Sequence, residues 1–567
     1  MNSGDLIAQA FADYGLRYVF GIPGGQTIPL YDAIARSNGK VRHILIRDER
    51  SGPYAADAYA RVTGRLAACD AVPGPGVVKL PSGLAEAFTT SVPLIAVAGD
   101  LPREFARYRR YAAAAQGLCD QVELLKPVSK AVMRIESQPD LRDGLNRAFA
   151  EATTGRPGPV VLNIPADVMH ADWDPEELPV NADARFACCP ALPVRPAADA
   201  VEHAADLLAQ AERPVMVVGG GGLLSRAFDE IRRAAERFAL PVATTVTGKG
   251  AIDEQHRLSV GVLGGQYGEP GANAVVEEAD LVFLVGFKSS QQSTYAWTLP
   301  RPDQKVVHLD IDPYEIGKAF ATDVALVGDA AAGLSDLIAA ADNRGVTSER
   351  PAWLARAAEL RDAWRAEAAR EAVARSPILP QYLIRELERL MDPRDLLVSD
   401  ASFSIGWITS WFHTRRAGRV CLFPRGSATL GFGLPAAIGA SLASPDRRVF
   451  CIAGDGGIAY ALGELGTCRK YGLPIVLVVL NNSCLGYSKW GERLGKRNYE
   501  NVDYAPTDFA QIAQGFGCRG IRVEAPDQFG DAVMEALKTE GTTLIDTVVD
   551  EWATPELMLR RHWSPAN

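Results

Sequence analysis

Short runs of apolar, mostly β-branched residues recur along the chain. Each is closed by a turn and followed by a longer segment rich in Ala, Leu, Arg and Glu. That alternation predicts strands and helices in turn, the pattern of parallel α/β domains. Three stretches share it. The first, 1–170, opens with an amphipathic segment, Asp5 to Tyr14, and predicts strands at Tyr18–Phe20, His43–Ile46, Leu94–Ala98 and Pro159–Ile164. The second, 197–345, predicts strands at Pro214–Val218, Leu281–Val285 and Lys305–Ile311. The third, 377–550, predicts them at Leu396–Ser399, Arg448–Ile452 and Ile475–Leu480. Between the first two lies a proline-bearing linker, 171–196, and between the last two a charged, Ala/Arg-rich linker, 346–376. The tail, 551–567, is polar and carries no assigned role.

A chain of 567 residues exceeds what one hydrophobic core serves, which agrees with three domains. Composition, 47% hydrophobic and 23% charged, is that of a soluble globular protein. The net charge of −10 gives no basic footprint for nucleic acid. The apolar run Leu473–Leu480 is far short of a membrane span. The N-terminus lacks a basic segment followed by an apolar core, so no secretory signal is expected. Nine cysteines without CxxC spacing read as reduced thiols in a cytoplasm, and seven scattered histidines form no metal cluster.

The sharpest chemistry follows the strand ending at Ile452. There stands Gly454-Asp455-Gly456-Gly457, and 27 positions beyond Asp455 a second strand ends in Asn481-Asn482. Parallel strands deliver ligands to the carboxyl edge of their sheet. Asp455 and Asn482 offer hard oxygen donors suited to Mg²⁺ shared with a phosphate. Gly456 and Gly457 let the backbone approach an anion, and a helix starting there presents free N–H groups. A Gly-Asp-Gly turn alone fits any strand-to-helix junction; the second Asn-ended strand makes the pair specific.

This pair is where the chain resembles thiamine diphosphate-dependent enzymes, acetolactate synthases in particular. The resemblance implies that Asp455, Asn482 and the main-chain carbonyl of Cys484 hold the metal, the Cys484 thiol being a small buried filler. Arg47-Asp48-Glu49-Arg50, followed by Ala56-Asp57-Ala58-Tyr59-Ala60-Arg61-Val62-Thr63-Gly64, resembles the segment bearing the family's activating Glu. Glu49 is thus the expected acid against the aminopyrimidine ring, although a Glu between two arginines by itself reads as an ion pair. Asp48, Arg50, Asp57 and Arg61 are left as salt-bridge candidates.

Further matches add cofactor contacts: Gly25 in Gly21-Ile22-Pro23-Gly24-Gly25, Gly74 in Gly74-Pro75-Gly76, and Ser402, Phe403 and Ser404 in the turn after Ser399. They continue with Ala428 and Leu430 in the turn that bends the cofactor, then Leu485, Gly486 and Tyr487 beyond the Asn pair. Leu430 would be an apolar wedge under the two rings; ordinary core packing reads the same in sequence. The resemblance runs nearly full length and implies a pyrimidine-binding, a central Rossmann-like and a diphosphate-binding domain. It also implies that the acid of one subunit faces the metal cradle of another, so at least a homodimer and commonly a homotetramer.

Family members share the cleavage next to a carbonyl and differ in what captures the acyl carbanion. Gly25 has no side chain over the thiazolium, and no adjacent His-His pair exists, which favours carboligation. The expected reaction is decarboxylation of a 2-oxo acid such as pyruvate with acyl transfer to a carbonyl acceptor; the alternative is a decarboxylase or lyase for a larger substrate. Gln116 matches an active-site Gln or is a loop residue. Lys79 stands where an Asn is usual, as a salt-bridged residue or a cation for a substrate carboxylate. Gly491 replaces a pocket Trp that Trp490 flanks, and Tyr487 completes the expected substrate residues. Gly286-Phe287-Lys288-Ser289-Ser290-Gln291-Gln292 lacks the FAD signature, so FAD is not expected, although the Gly219–Gly222 turn admits an adenine nucleotide. A reading from another class makes the chain a nucleotide-binding protein without thiamine chemistry, with its dinucleotide in the middle stretch.

Overall fold

The computed structural model describes residues 1–108, 120–346, 348–495 and 501–554. It contains three six-stranded sheets, every strand pairing parallel. The first comprises β1 (Tyr18–Gly21), β2 (Arg42–Leu45), β3 (Ala68–Ala71), β4 (Leu94–Asp100), β5 (Ala131–Arg134) and β6 (Pro159–Pro165). Its order is β2-β1-β3-β4-β6-β5. The middle sheet holds β7 (Pro214–Val218), β8 (Val242–Thr244), β9 (Ser259–Val262), β10 (Leu281–Val285), β11 (Lys305–Asp310) and β12 (Val324–Val327). Its order, β12-β11-β10-β7-β8-β9, reverses direction beside β7, as in a doubly wound nucleotide-binding sheet. The third holds β13 (Leu396–Ser399), β14 (Cys421–Leu422), β15 (Val449–Gly454), β16 (Ile475–Asn481), β17 (Arg519–Val523) and β18 (Thr543–Val548).

The order of the third sheet, β14-β13-β15-β16-β18-β17, repeats the first strand for strand. The central strands β4, β15 and β16 are buried along nearly their whole length because helices cover both faces. The two sheets share one continuous core. Helix Ser51–Thr63 of the first domain is buried from Ser51 through Arg61 and packs against helix Gly433–Ala443 of the third. Contact is close enough that a Cβ at Gly439 would lie 2.0 Å from the Ala55 carbonyl oxygen. Helix Ser51–Thr63 ends at Gly64, whose φ of 72° only glycine adopts without strain.

The Ala/Arg-rich segment before the third domain is largely a helix, Pro351–Glu371, that buries Trp353, Leu360 and Trp364. Trp353 donates to the Pro214 carbonyl at 2.9 Å, and Trp411 donates to the Ala368 carbonyl at 2.8 Å, so this helix fastens the middle domain to the third. No described helix is long and apolar enough to cross a membrane. The eight described cysteines are free thiols.

Candidate active site

Three turns at the carboxyl edge of the third sheet meet at one buried carboxylate. Asp400, directly after β13, accepts from the N–H groups of Ala401 (2.7 Å), Gly431 (3.1 Å) and Gly433 (2.9 Å). A Cβ at Gly457 would lie 3.1 Å from it. Burial pushes its pKa up to about 6 despite those three donors. Asp400 therefore ties the turn after β13 to the turn 428–433 and seats the one after β15. Each of these turns, and the one after β16, carries strained or glycine backbone. Ser402 (φ 74°), Ala428 (φ 54°) and Ser483 (φ 54°) are non-glycine residues in the left-handed region, the kind of strain that clusters at functional sites.

A cleft of about 410 Å³ opens above these turns. Of the residues singled out in the sequence, Ser402, Phe403, Ser404, Ala428, Leu430, Gly454, Asp455, Gly456, Gly457, Asn482, Cys484, Leu485, Gly486 and Tyr487 line it. Asp455 opens a short helix, Asp455–Ala459, and is almost fully buried. Its Oδ1 accepts from Gly456 N–H at 2.7 Å, while the buried Oδ2 has no hydrogen-bond partner. Burial raises its pKa to about 6, and the Gly456 hydrogen bond only moderates the shift. Asn482 Oδ1 accepts only a long bond from Cys484 N–H, 3.3 Å. The Cys484 carbonyl accepts from Gly486 N–H at 3.0 Å and keeps a second lone pair.

An orphaned, buried carboxylate oxygen beside an amide oxygen and a carbonyl is a donor set that a hard divalent cation completes. A Cβ at Gly454 would meet nothing within 4 Å, leaving space in the cleft for a phosphate against backbone. These residues fit Mg²⁺ and a diphosphate.

The remaining sequence-derived residues lie elsewhere. Gly25, Glu49, Gly74 and Lys79 follow β1, β2 and β3 at the carboxyl edge of the first sheet and do not line this cleft. Glu49 is buried and accepts a 2.9 Å hydrogen bond from Lys79 Nζ, whose ammonium that carboxylate holds above its usual pKa. Asp48 pairs with Arg50 at 3.0 Å and Asp57 with Arg61 at 2.7 Å. Trp490 packs behind Phe403, ring centroids 6.3 Å apart, rather than on the cleft wall. Gln116 lies outside the described residues.

The glycines of the turn Gly219–Gly222 serve close backbone packing. A Cβ at Gly219 would lie 2.2 Å from the Gly286 carbonyl oxygen. The cleft beside that turn is spanned by Arg156 to Asp312 (3.4 Å) and by Lys288 Nζ to the Thr89 carbonyl (2.9 Å).

Known proteins show the same three-part organisation. Residues 1–124 match the thiamine pyrophosphate enzyme N-terminal TPP binding domain, 201–337 the central domain and 401–547 the C-terminal TPP binding domain. The chain is 36% identical over 548 residues to the acetolactate synthase large subunit of Parasynechococcus marenigrum, covering 96% of this chain and 86% of that protein. It is 33% identical over 558 residues to the probable acetolactate synthase large subunit of Methanocaldococcus jannaschii (97% and 92%) and 30% over 563 to the acetolactate synthase large subunit of Haemophilus influenzae (97% and 95%). The chain belongs to the thiamine pyrophosphate enzyme family.

Within this thiamine pyrophosphate enzyme, several site residues carried no sequence signal. The middle domain contributes Gln266, Tyr267 and Gln292 to the cleft wall, and Gln266 Nε2 donates to the Tyr487 hydroxyl at 2.6 Å. Arg425 lines the cleft from the turn leading to Ala428. Helix Glu464–Tyr471 of the third domain grips the loop that carries Glu49. Arg47 N–H donates to Glu464 Oε1 (3.0 Å), Leu45 N–H to the Tyr471 hydroxyl (2.7 Å), and Thr467 Oγ1 to the Leu45 carbonyl (3.1 Å).

Proposed function

We propose that this chain is a thiamine diphosphate- and Mg²⁺-dependent carboligase. It removes CO₂ from a 2-oxo acid, with pyruvate as donor, and transfers the acyl group to a carbonyl acceptor, in the manner that the names of its acetolactate synthase relatives suggest. The observation that carries the reading is the orphaned Asp455 Oδ2 beside Asn482 on adjoining strand ends. When bound, thiamine diphosphate supplies the electron sink that lets the bond between a carbonyl carbon and its carboxylate break.

This chain's own residues do the rest. Asp455, Asn482 and the Cys484 carbonyl hold the metal, and the glycines after β15 admit the diphosphate. Leu430, on the cleft wall, would pack against the cofactor's rings. Glu49 would hold a proton on its carboxyl and donate it in a hydrogen bond to the aminopyrimidine ring. Because Glu49 does not line its own chain's cleft, we propose that it serves the cleft of a second copy, so that the working unit is a homodimer or a homotetramer built as a dimer of dimers. Room for ligation is supported by the bare Gly25 and by the length of cleft running past Leu430 along Phe403, Tyr487 and Gln266.

Product analysis tests the reaction. With pyruvate, thiamine diphosphate and Mg²⁺ alone, acetolactate is the expected product. Acetaldehyde without acetolactate would overturn ligation in favour of decarboxylation.

A further inference from the structure

Arg425 is the one cation among the described residues lining the cofactor cleft. It is partly buried, its guanidinium lying 4.9 Å from the centroid of the Tyr267 ring. Stacking of that kind fixes the plane of the guanidinium and leaves its N–H edges to other partners. Among the described residues it makes no ion pair and no side-chain hydrogen bond. The carboxylate whose field it feels, Glu86, is already committed: its oxygens accept from Gly426 N–H and Ser427 N–H, each 2.8 Å, and face Arg61 at 3.5 Å. A guanidinium taken out of bulk water without a counter-ion is costly, and this one stands on the wall that the cleft shares with the cavity beside the Gly219–Gly222 turn.

We infer that Arg425 anchors the carboxylate of the acceptor 2-oxo acid. The inference rests on the carboligase reading above and adds the residue that selects the acceptor. A planar fork of donors suits a carboxylate bidentately.

Two carboxylates pass through such a site, and physical chemistry separates them. The donor's carboxylate must leave as neutral CO₂. A cation gripping it would stabilise the ground state more than the transition state and slow the cleavage. The acceptor's carboxylate keeps its charge from encounter to product. In the ligation step the acyl carbon forms a bond to the acceptor's carbonyl carbon. The carbonyl π bond breaks, its oxygen takes one proton from solvent to become a hydroxyl, and the neighbouring carboxylate is unchanged. Holding that carboxylate orients the electrophilic carbon without penalising either step.

The test compares wild type, Arg425→Met and Arg425→Lys, each with thiamine diphosphate and Mg²⁺. Pyruvate is the donor, and 2-oxobutanoate and acetaldehyde compete as acceptors. Arg425→Met should shift the product ratio toward the aldehyde-derived product about tenfold or more, and Arg425→Lys by less, because lysine keeps the charge without the fork. Calorimetric titration with lactate, a carboxylate that neither loses CO₂ nor accepts an acyl group, gives a readout independent of turnover. Its affinity should fall about tenfold in Arg425→Met, with cofactor affinity within about twofold of wild type.

An unchanged product ratio, unchanged lactate affinity, or loss of thiamine diphosphate binding in both variants would each overturn the assignment, the last by giving Arg425 to the diphosphate. Should Arg425→Met fail to fold, Arg425→Lys carries the same comparison. A wild type that ligates neither acceptor fails before any variant is compared, and that result sinks the carboligase reading together with this one.

Discussion

Asp70 is a buried carboxylic acid at the end of β3, hydrogen-bonded by the Tyr31 hydroxyl at 2.6 Å, and a Cβ at Gly21 would collide with it. Burial, with the charge of Glu49 adding to it, pushes its pKa up to about 7, well above the 3.8 of an unfolded Asp; the Tyr31 bond only moderates the shift. The sign of the linkage follows. Between those two values the folded chain holds a proton that the unfolded chain has released, so this group's contribution to stability falls as pH rises from about 4 to about 7. Asp70→Asn keeps an acceptor for Tyr31 and removes the titration. Its melting temperature should exceed that of wild type at about pH 8, and the gap should close toward about pH 4. A gap that stays constant with pH would contradict this. The same buried position hid Asp70 from sequence reading, since an acid inside a parallel strand breaks the apolar pattern that marks one.

Helix Glu464–Tyr471 acts at the scale of an element. It follows the Asp455–Ala459 turn in sequence, yet its side chains hold the backbone of the Glu49 loop. Glu464 is therefore a positioning residue for Glu49. Glu464→Ala should lower kcat about tenfold or more while leaving thiamine diphosphate affinity within about twofold, and Glu464→Gln should retain most of the rate, because its amide oxygen still accepts from Arg47 N–H. Equal losses in Ala and Gln, or a lost cofactor affinity with kcat unchanged, would make Glu464 merely structural. No local pattern announces this role, because Arg47 and Glu464 stand 417 positions apart.

Elements with strong local signals were legible from sequence. Strands β7, β10, β13 and β16 are continuous apolar runs that fall where the pattern places them. Apart from β18, a six-residue strand interrupted by Asp546, the unread strands are short or weakly patterned. β3 reads Ala-Cys-Asp-Ala, β14 has two residues, and β5 and β17 are edge strands held by one neighbour. In the site, the contiguous glycine, aspartate and asparagine motifs were legible. Gln266 and Tyr267 were not, because only the docking of the middle domain on the third brings them to the cleft, and Arg425 was not, because it stands in an irregular turn with no motif around it.

At the scale of the whole molecule, the first and third domains carry the same strand order and share one core across helices Ser51–Thr63 and Gly433–Ala443. On the proposed reading each chain would carry two half-sites on this shared core: the acid half at β1–β3, and the metal half at β13, β15 and β16. The account requires that these halves be completed by another copy, and subunit complementation tests that most directly. Glu49→Gln alone should bind cofactor without turnover, and Asp455→Ala alone should lose Mg²⁺-dependent binding. Co-expressed, the two form mixed dimers in which one site collects both lesions and the other has none. Activity should then return to about a quarter of wild type for random pairing of subunits. Activity no higher than that of either parent, in preparations shown to contain mixed dimers, would contradict the account.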